Sequence, residues 1–473
     1  MNNKKYIFGM IGLGTMGSNL LLNMMDHGFA VSGYDIDPKK VTTLNTLGDE
    51  NAIKGFNQMS DFVQSLSAPR TIMMLVPAGK IVDAVIQELI PLLDKGDIII
   101  DGGNSHFIDT ERRAIDLENQ GLHFFGMGIS GGDVGARNGP SMMPGGDKQA
   151  YQHVKTIFEK IAAQVNGEPC VTYMGPGAAG HYVKMVHNGI EYALMQLIAE
   201  TYQILKVGLQ LDNTAIQKIF TQWNEGKLQS FLLDITKDIF AFKDTDTGTF
   251  LLDEIKDEAK AKGTGKWTSQ SAMDLELPTP VIDTAVSMRD LSKYKSLRVA
   301  ISKEFLQTSN GEMLDDNINE YVNELEDAFY FCMITTYAQG MHLLFKSSQT
   351  YNYNLQLGEI AKIWRGGCII RAAFLENIYS AYQNNESLKH LMQDPNIQSE
   401  LKNSLSQTRK VVTSAITKGI AIPAYSASIA YFDSMRTEHL PSNLIQAQRD
   451  YFGAHTYERI GKEGVFHTIW EGK

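Results

Sequence analysis

Lys184, His187, Asn188 and Glu191 stand at relative positions 0, 3, 4 and 7, a spacing that gathers all four on one face of a helix. That face is separate from the apolar stripe of Val183, Val186, Ile190, Leu194 and Leu197, which a helix over 182–206 would bury. A lysine and a glutamate seven residues apart lie about 10 Å apart along a helix axis, a gap their long side chains can close around a small polar molecule. An amine and a carboxyl group brought together in this way can act as base and acid on one substrate. The amine must then start neutral, which desolvation or neighbouring cations favour. On this helix alone, an ion-pair ladder on a solvated face accounts for the same four residues.

A second constellation lies near the start of the chain. Gly12, Leu13, Gly14, Thr15, Met16 and Gly17 follow an apolar run over 6–11 and precede a helical run over 18–26. In such a turn the first glycine allows the tight bend, the second lets the backbone approach a pyrophosphate, and the third permits close packing of helix on strand. The helix N-terminus offers N–H groups and positive dipole density to that pyrophosphate. The next apolar run, 30–34, leads into Asp35, Ile36 and Asp37. A carboxylate at that point accepts hydrogen bonds from adenosine ribose hydroxyls and repels a 2'-phosphate, so NAD is favoured as the cofactor. Lys39 and Lys40 stand close by and keep NADP possible.

Both constellations need a scaffold, and 473 residues allow two or three domains. Runs over 71–76, 97–101 and 122–126 read as further strands, and 80–93 and 109–119 as helices between them. Alternating elements of this kind build a mostly parallel sheet with helices on both faces, an α/β Rossmann-type cofactor domain expected over 1–178. From 179 to 440 the texture is helical, with candidates at 214–222, 230–240, 285–305 and 324–345, and a large all-helical domain is expected there. The tail over 441–473 is aromatic- and glycine-rich with little periodicity. A net charge of -11 argues against a nucleic-acid partner. Three cysteines without paired spacing fit a reducing, cytoplasmic setting, and no apolar run is long enough for a membrane span.

Longer strings carry a resemblance. Gly128-Ile-Ser-Gly-Gly-Asp-Val-Gly-Ala-Arg137 with Gly139-Pro-Ser-Met-Met-Pro-Gly-Gly146, and His181-Tyr-Val-Lys-Met-Val-His-Asn-Gly-Ile-Glu-Tyr192, are the first two. Lys262-Gly-Thr-Gly-Lys-Trp267, Ile363-Trp-Arg-Gly-Gly-Cys-Ile-Ile-Arg371 and Gln448-Arg-Asp-Tyr-Phe-Gly-Ala-His-Thr-Tyr457 follow in order. Together they resemble the decarboxylating 6-phosphogluconate dehydrogenases, of the β-hydroxyacid dehydrogenase superfamily, over nearly the whole chain.

The resemblance implies oxidation of 6-phosphogluconate at C3 and loss of carbon dioxide to give ribulose 5-phosphate, without a metal. It implies Lys184 as the base and then the acid at the 3-oxygen, and Glu191 as the acid at C1 of the enediol. Tyr192, Lys262, Thr264, Arg289 and Arg449 would surround the phosphate, as paired charged hydrogen bonds require. Ser130, Gly131, Gly132, Asn104, His187, Asn188 and His455 would hold the carboxylate end. Asn104, in Gly102-Gly-Asn-Ser105, would also border the cofactor. A homodimer or dimer of dimers with shared active sites is implied, the tail completing the other subunit's site. The chain departs from the family in having Asp35-Ile36-Asp37 where an arginine usually faces the 2'-phosphate. It also has Val76-Pro77-Ala78 where a lysine is common. Both departures strengthen the expectation of NAD. The same reaction with NADP, a β-hydroxyacid dehydrogenase acting on a smaller acid, and a non-catalytic dinucleotide-binding protein are the alternatives.

Overall fold

The structure is a computed structural model that describes residues 5–305, 313–315 and 317–470. The N-terminal part is a seven-stranded sheet of β1 (Phe8–Ile11), β2 (Val31–Tyr34), β3 (Ile53–Phe56), β4 (Thr71–Met74), β5 (Ile98–Asp101), β6 (His123–Ser130) and β7 (Ser141–Gly146), in the order β3-β2-β1-β4-β5-β6-β7. Strands β1 to β6 are parallel, and β7 returns antiparallel to β6. The central strands β1, β4 and β5 are buried along their whole length, which is why they read as unbroken apolar runs and not as alternation. Leu20, Leu21 and Phe158 cover one face of the sheet, and Phe62, Leu66 and Ile86 the other. The strand order reverses between β1 and β4. A doubly wound sheet opens its ligand crevice at such a switch point, beyond the carboxyl ends of the strands.

Two strands of this sheet were missed by the sequence reading. β3 is short and only half buried. β7 lies inside the segment 139–146, whose glycines and Pro144 carry no strand signature. Pro144 is tolerated because β7 is an edge strand.

The helical part begins at the helix Ala179–Gln203, which runs into a π turn at Ile204–Gly208. It packs on the central helix Ile318–Thr350 and on Pro423–Met435, and Pro395–Thr417 packs on the central helix as well. Phe329, Ile334, Tyr337 and Ala338 of the central helix are each at most 2% exposed. Burial on nearly every side carries that helix beyond the expected 324–345. The expected helix over 285–305 is instead two, Pro280–Ser292 and Lys295–Glu304.

The tail is more ordered than its pattern suggests: a helix, Ser442–Gly453, and a hairpin of Tyr457–Arg459 with Lys462–Phe466. Asp450, fully buried, ties them together by accepting from Thr456 N, Thr468 N and Trp470 Nε1 at 3.0, 3.0 and 3.1 Å and pairing with His467 Nδ1 at 2.8 Å. Among the described residues no helix is long and apolar enough to cross a membrane.

Candidate active site

The helix Ala179–Gln203 lies directly on β6 and β7, and glycine makes this approach possible. A Cβ on Gly128 would stand 2.3 Å from the Lys184 Cβ, and one on Gly180 would stand 2.3 Å from Met143 O. The close contact carries Lys184 and His187 to the carboxyl end of β6, where Ser130 terminates the strand.

Lys184 is 6% exposed. Among the described residues no carboxylate comes within ion-pair distance of it. Burial pulls its ammonium below the ordinary lysine range, with Glu191 and Cys368 opposing. Burial likewise pushes Glu191 above the ordinary carboxyl range, against the cations of Lys184 and Arg289. His187, fully buried, is driven well below its usual value by desolvation and then by Lys184. Its Nε2 meets Ser130 Oγ at 3.3 Å and its Nδ1 meets Asn188 Oδ1 at 3.0 Å. Trp364, also fully buried, stands edge-on to the His187 ring at a 5.5 Å centroid distance, and the Cys368 thiol donates to Trp364 O. Burial thus drives an amine and a carboxyl group toward their neutral forms, as a base and an acid require.

One turn further along, the Arg289 guanidinium lies 3.4 Å from the centroid of the Tyr192 ring, and Asn188 Nδ2 donates to Thr264 Oγ1 at 3.1 Å. Thr264 opens the helix Thr264–Asp274, and Lys262 stands exposed just before it. Gly131 and Gly132 follow β6 with φ of +112° and +65°, a left-handed bend that glycine adopts without strain. Asn104 is exposed on the loop after β5. Arg449 and His455 lie exposed on the tail, Arg449 donating to Gln446 Oε1, and neither is hydrogen-bonded to the Lys184 group.

The glycine turn suits a dinucleotide. A Cβ on Gly17 would stand 1.9 Å from Gly12 O, whereas one on Gly14 would meet nothing within 4 Å. The helix Thr15–Asp26 has no side-chain cap and no acid in its first turn, so its leading N–H groups are free for phosphate oxygens. Val76, Pro77 and Ala78 line the opposite side of the crevice after β4.

Comparison with known proteins agrees with this geometry. Residues 7–175 match the NAD binding domain of 6-phosphogluconate dehydrogenase, and residues 180–470 match the 6-phosphogluconate dehydrogenase C-terminal domain. A Bacillus subtilis relative named as an NADP(+)-dependent, decarboxylating 6-phosphogluconate dehydrogenase is 48% identical over 466 residues, covering 98% of this chain and 99% of that protein. The chain belongs to the 6-phosphogluconate dehydrogenase family. An Escherichia coli relative, a decarboxylating 6-phosphogluconate dehydrogenase, is 50% identical over 467 residues, 98% of this chain and 99% of its own. The Plasmodium falciparum 6-phosphogluconate dehydrogenase, solved in its apo form and in complexes with NADP+ and with 6-phosphogluconate, superposes with a TM-score of 0.94 at 46% identity, over 98% of this chain and 100% of that one. The chain is accordingly an enzyme, a decarboxylating family member that uses NAD(P).

These relatives overturn the expectation that NAD is preferred: they favour NADP. The physical reason lies in what Asp35 does. Its carboxylate accepts Leu13 N at 2.8 Å and Asp37 N at 2.9 Å and pairs with Lys40 Nζ at 3.1 Å. Burial raises its pKa, but these bonds outweigh burial and hold it below the usual value. Asp37 caps the next helix by accepting Lys39 N. The two carboxylates brace the turn, and Lys40 offsets the charge that was expected to repel a 2'-phosphate. Ile36, 83% exposed, leaves the outer rim open.

Sequence reasoning missed a buried polar group behind the two cofactor-side loops: Asp101, Thr110, Arg113 and His181. One signal was available. His181 precedes Lys184 by three residues, so the two share a helix face.

Proposed function

We propose that the chain catalyses oxidative decarboxylation of 6-phosphogluconate to ribulose 5-phosphate and carbon dioxide with NADP as the preferred cofactor. The observation that carries this reading is the pairing of Lys184 and Glu191 on one helix, each moved by burial toward its neutral form. The Gly12–Gly17 turn would hold the cofactor's pyrophosphate, and the bound cofactor would supply the acceptor for the C3 hydride. Neutral Lys184 takes the 3-hydroxyl proton in the same step. The product is a β-keto acid; its C1–C2 bond breaks, carbon dioxide leaves, and the electron pair moves toward the C3 oxygen. The Lys184 ammonium stabilises and protonates that oxygen. Glu191 then delivers a proton to C1 of the resulting enediol while Lys184, neutral again, takes the hydroxyl proton as the ketone re-forms; return of a proton from the Lys184 ammonium to the Glu191 carboxylate restores both starting forms.

Ser130, Gly131 and Gly132, with Asn104, His187 and Asn188, hold the carboxylate end. Burial keeps His187 neutral, so it binds as a hydrogen-bonding group. Tyr192, Lys262, Thr264 and Arg289 form the phosphate end. Arg449 and His455 complete the site from the tail of a second copy, in a homodimer or dimer of dimers. Their exposure in the single chain, beside exposed Leu444, Ile445 and Phe452, supports this assignment. The working units are 1–178, 179–440 and 441–473, and the setting is the cytoplasm.

Steady-state turnover of 6-phosphogluconate with NADP and with NAD, following reduced cofactor and carbon dioxide together, tests the reading. Equimolar products and a higher kcat/KM for NADP are expected. Reduction without carbon dioxide, or a higher kcat/KM for NAD, would contradict it.

A further inference from the structure

The helix Phe107–Glu118 joins parts of the molecule that the reaction must keep in register. On one side, Thr110 Oγ1 meets His181 Nδ1 at 2.6 Å, and Glu111 Oε2 accepts Ala178 N at 2.8 Å, just where the helix bearing Lys184 begins. On the other side, Arg113, 2% exposed, reaches both loops of the cofactor crevice. Its Nη2 donates to Gly79 O at 3.0 Å and its Nε to Asp83 Oδ1 at 2.7 Å, fixing the loop after β4. Its Nη1 lies 3.5 Å from Asp101 Oδ2 and 3.4 Å from Ser105 Oγ. Asp101 in turn accepts Ser105 Oγ at 2.6 Å and Gly103 N at 3.0 Å, so the loop carrying Asn104 is held by the same cluster.

We propose that Arg113 is a positioning residue, clamping the 76–79 and 102–105 loops at a fixed distance from the helix that carries Lys184. Resting on the dehydrogenase reading above, this assigns the alignment of cofactor and base to a residue that touches neither. A planar guanidinium suits the task because its five donors point in fixed directions. Here they serve a carbonyl, two carboxylates and a hydroxyl from two chain segments, 79–83 and 101–105. A lysine at the same place keeps the charge but cannot make that set of bonds. Misplacement by about 1 Å is enough to cost on the order of a hundredfold in rate.

The test compares full-length Arg113→Lys with the unaltered enzyme in two ways. Amide hydrogen exchange of the cofactor-free protein should be at least tenfold faster at Val82, whose N–H Gly79 O accepts beside the first loop, and at Gly102 and Gly103 in the second, with the helix Ala179–Gln203 unchanged. With C3-deuterated 6-phosphogluconate, kcat should fall at least tenfold with a larger isotope effect, while KM for 6-phosphogluconate stays within threefold. Unchanged exchange at both loops, or exchange accelerated evenly through the whole sheet, overturns the proposal. Should Arg113→Lys fail to fold, Asp83→Asn, which loosens the Nε contact and leaves Arg113 in place, is judged by the same two readouts. If the unaltered enzyme does not turn over 6-phosphogluconate, the functional reading falls, and loop exchange still decides the role of Arg113.

Discussion

Asp35 and Lys184 are both ionisable, both at most 7% exposed, and both lie at the mouth of a site, yet their surroundings treat them in opposite ways. Asp35 receives two backbone N–H groups and a lysine, which keep it charged and fix it in place. Among the described residues Lys184 has no such partners, and burial drives it toward the neutral amine. A buried charge whose hydrogen bonds outweigh its desolvation stays charged and stabilises backbone geometry, whereas one whose desolvation is not offset is pushed toward its neutral form and has a proton to exchange. The difference teaches which ionisable groups do chemistry: those whose surroundings leave their charge unsatisfied.

The largest effect that would break this comparison is at Lys184. Lys184→Met should lower kcat by about a thousandfold or more, since base and acid are both lost, while calorimetry gives an NADP Kd within threefold of the unaltered enzyme. Substantial remaining turnover would remove Lys184 from the mechanism. Asp35→Asn should weaken NADP and NAD by similar factors and lower stability by about 1–3 kcal/mol, as expected for loss of charged hydrogen bonds. A change confined to the ratio of the two cofactors would instead show Asp35 acting on the ribose.

A smaller effect sharpens the comparison at Glu200, 3% exposed on the same helix as Lys184, where it accepts Ala424 N at 2.9 Å and Tyr425 N at 3.1 Å. Burial raises its pKa from 4.5 to about 7. The folded protein therefore holds a proton that the unfolded chain releases, and stability falls as pH rises from 4.5 to 7. Glu200→Gln should make the fall in Tm across that window shallower by about 2 °C or more. An unchanged slope would place the ionised form of Glu200 in the folded state.

The helix Ala179–Gln203 was legible because its polar residues repeat at helical spacing beside a separate apolar stripe, and both constraints are local. The central strands were legible because burial on both faces leaves continuous apolar runs. β7 was not, since it is a strand only through pairing with β6 and contact with the helix that starts at Ala179. The tail helix was missed for a related reason: its apolar residues, Leu444, Ile445 and Phe452, are exposed in the single chain and do not form a buried stripe. Asp35 was found but misread. Its residue type and position were correct, while its partner, Leu13 N, is brought to it by the fold of the turn. The Arg113 cluster draws on segments far apart in the chain, and no spacing rule joins them.

The opposed charge preferences of Lys184 and Glu191 are tested most directly by the pH dependence of kcat/KM in the unaltered enzyme and in Glu191→Gln, since limbs common to both profiles belong to the substrate or to other groups. With Lys184 needed neutral and Glu191 needed protonated, activity rises with pH as the amine loses its proton and falls as the carboxyl ionises, the two limbs belonging to the coupled pair. The account predicts that Glu191→Gln lowers activity and loses the alkaline fall while keeping the acid-side rise. A variant that retains the full bell would show that the proton held by Glu191 is not the one the reaction uses.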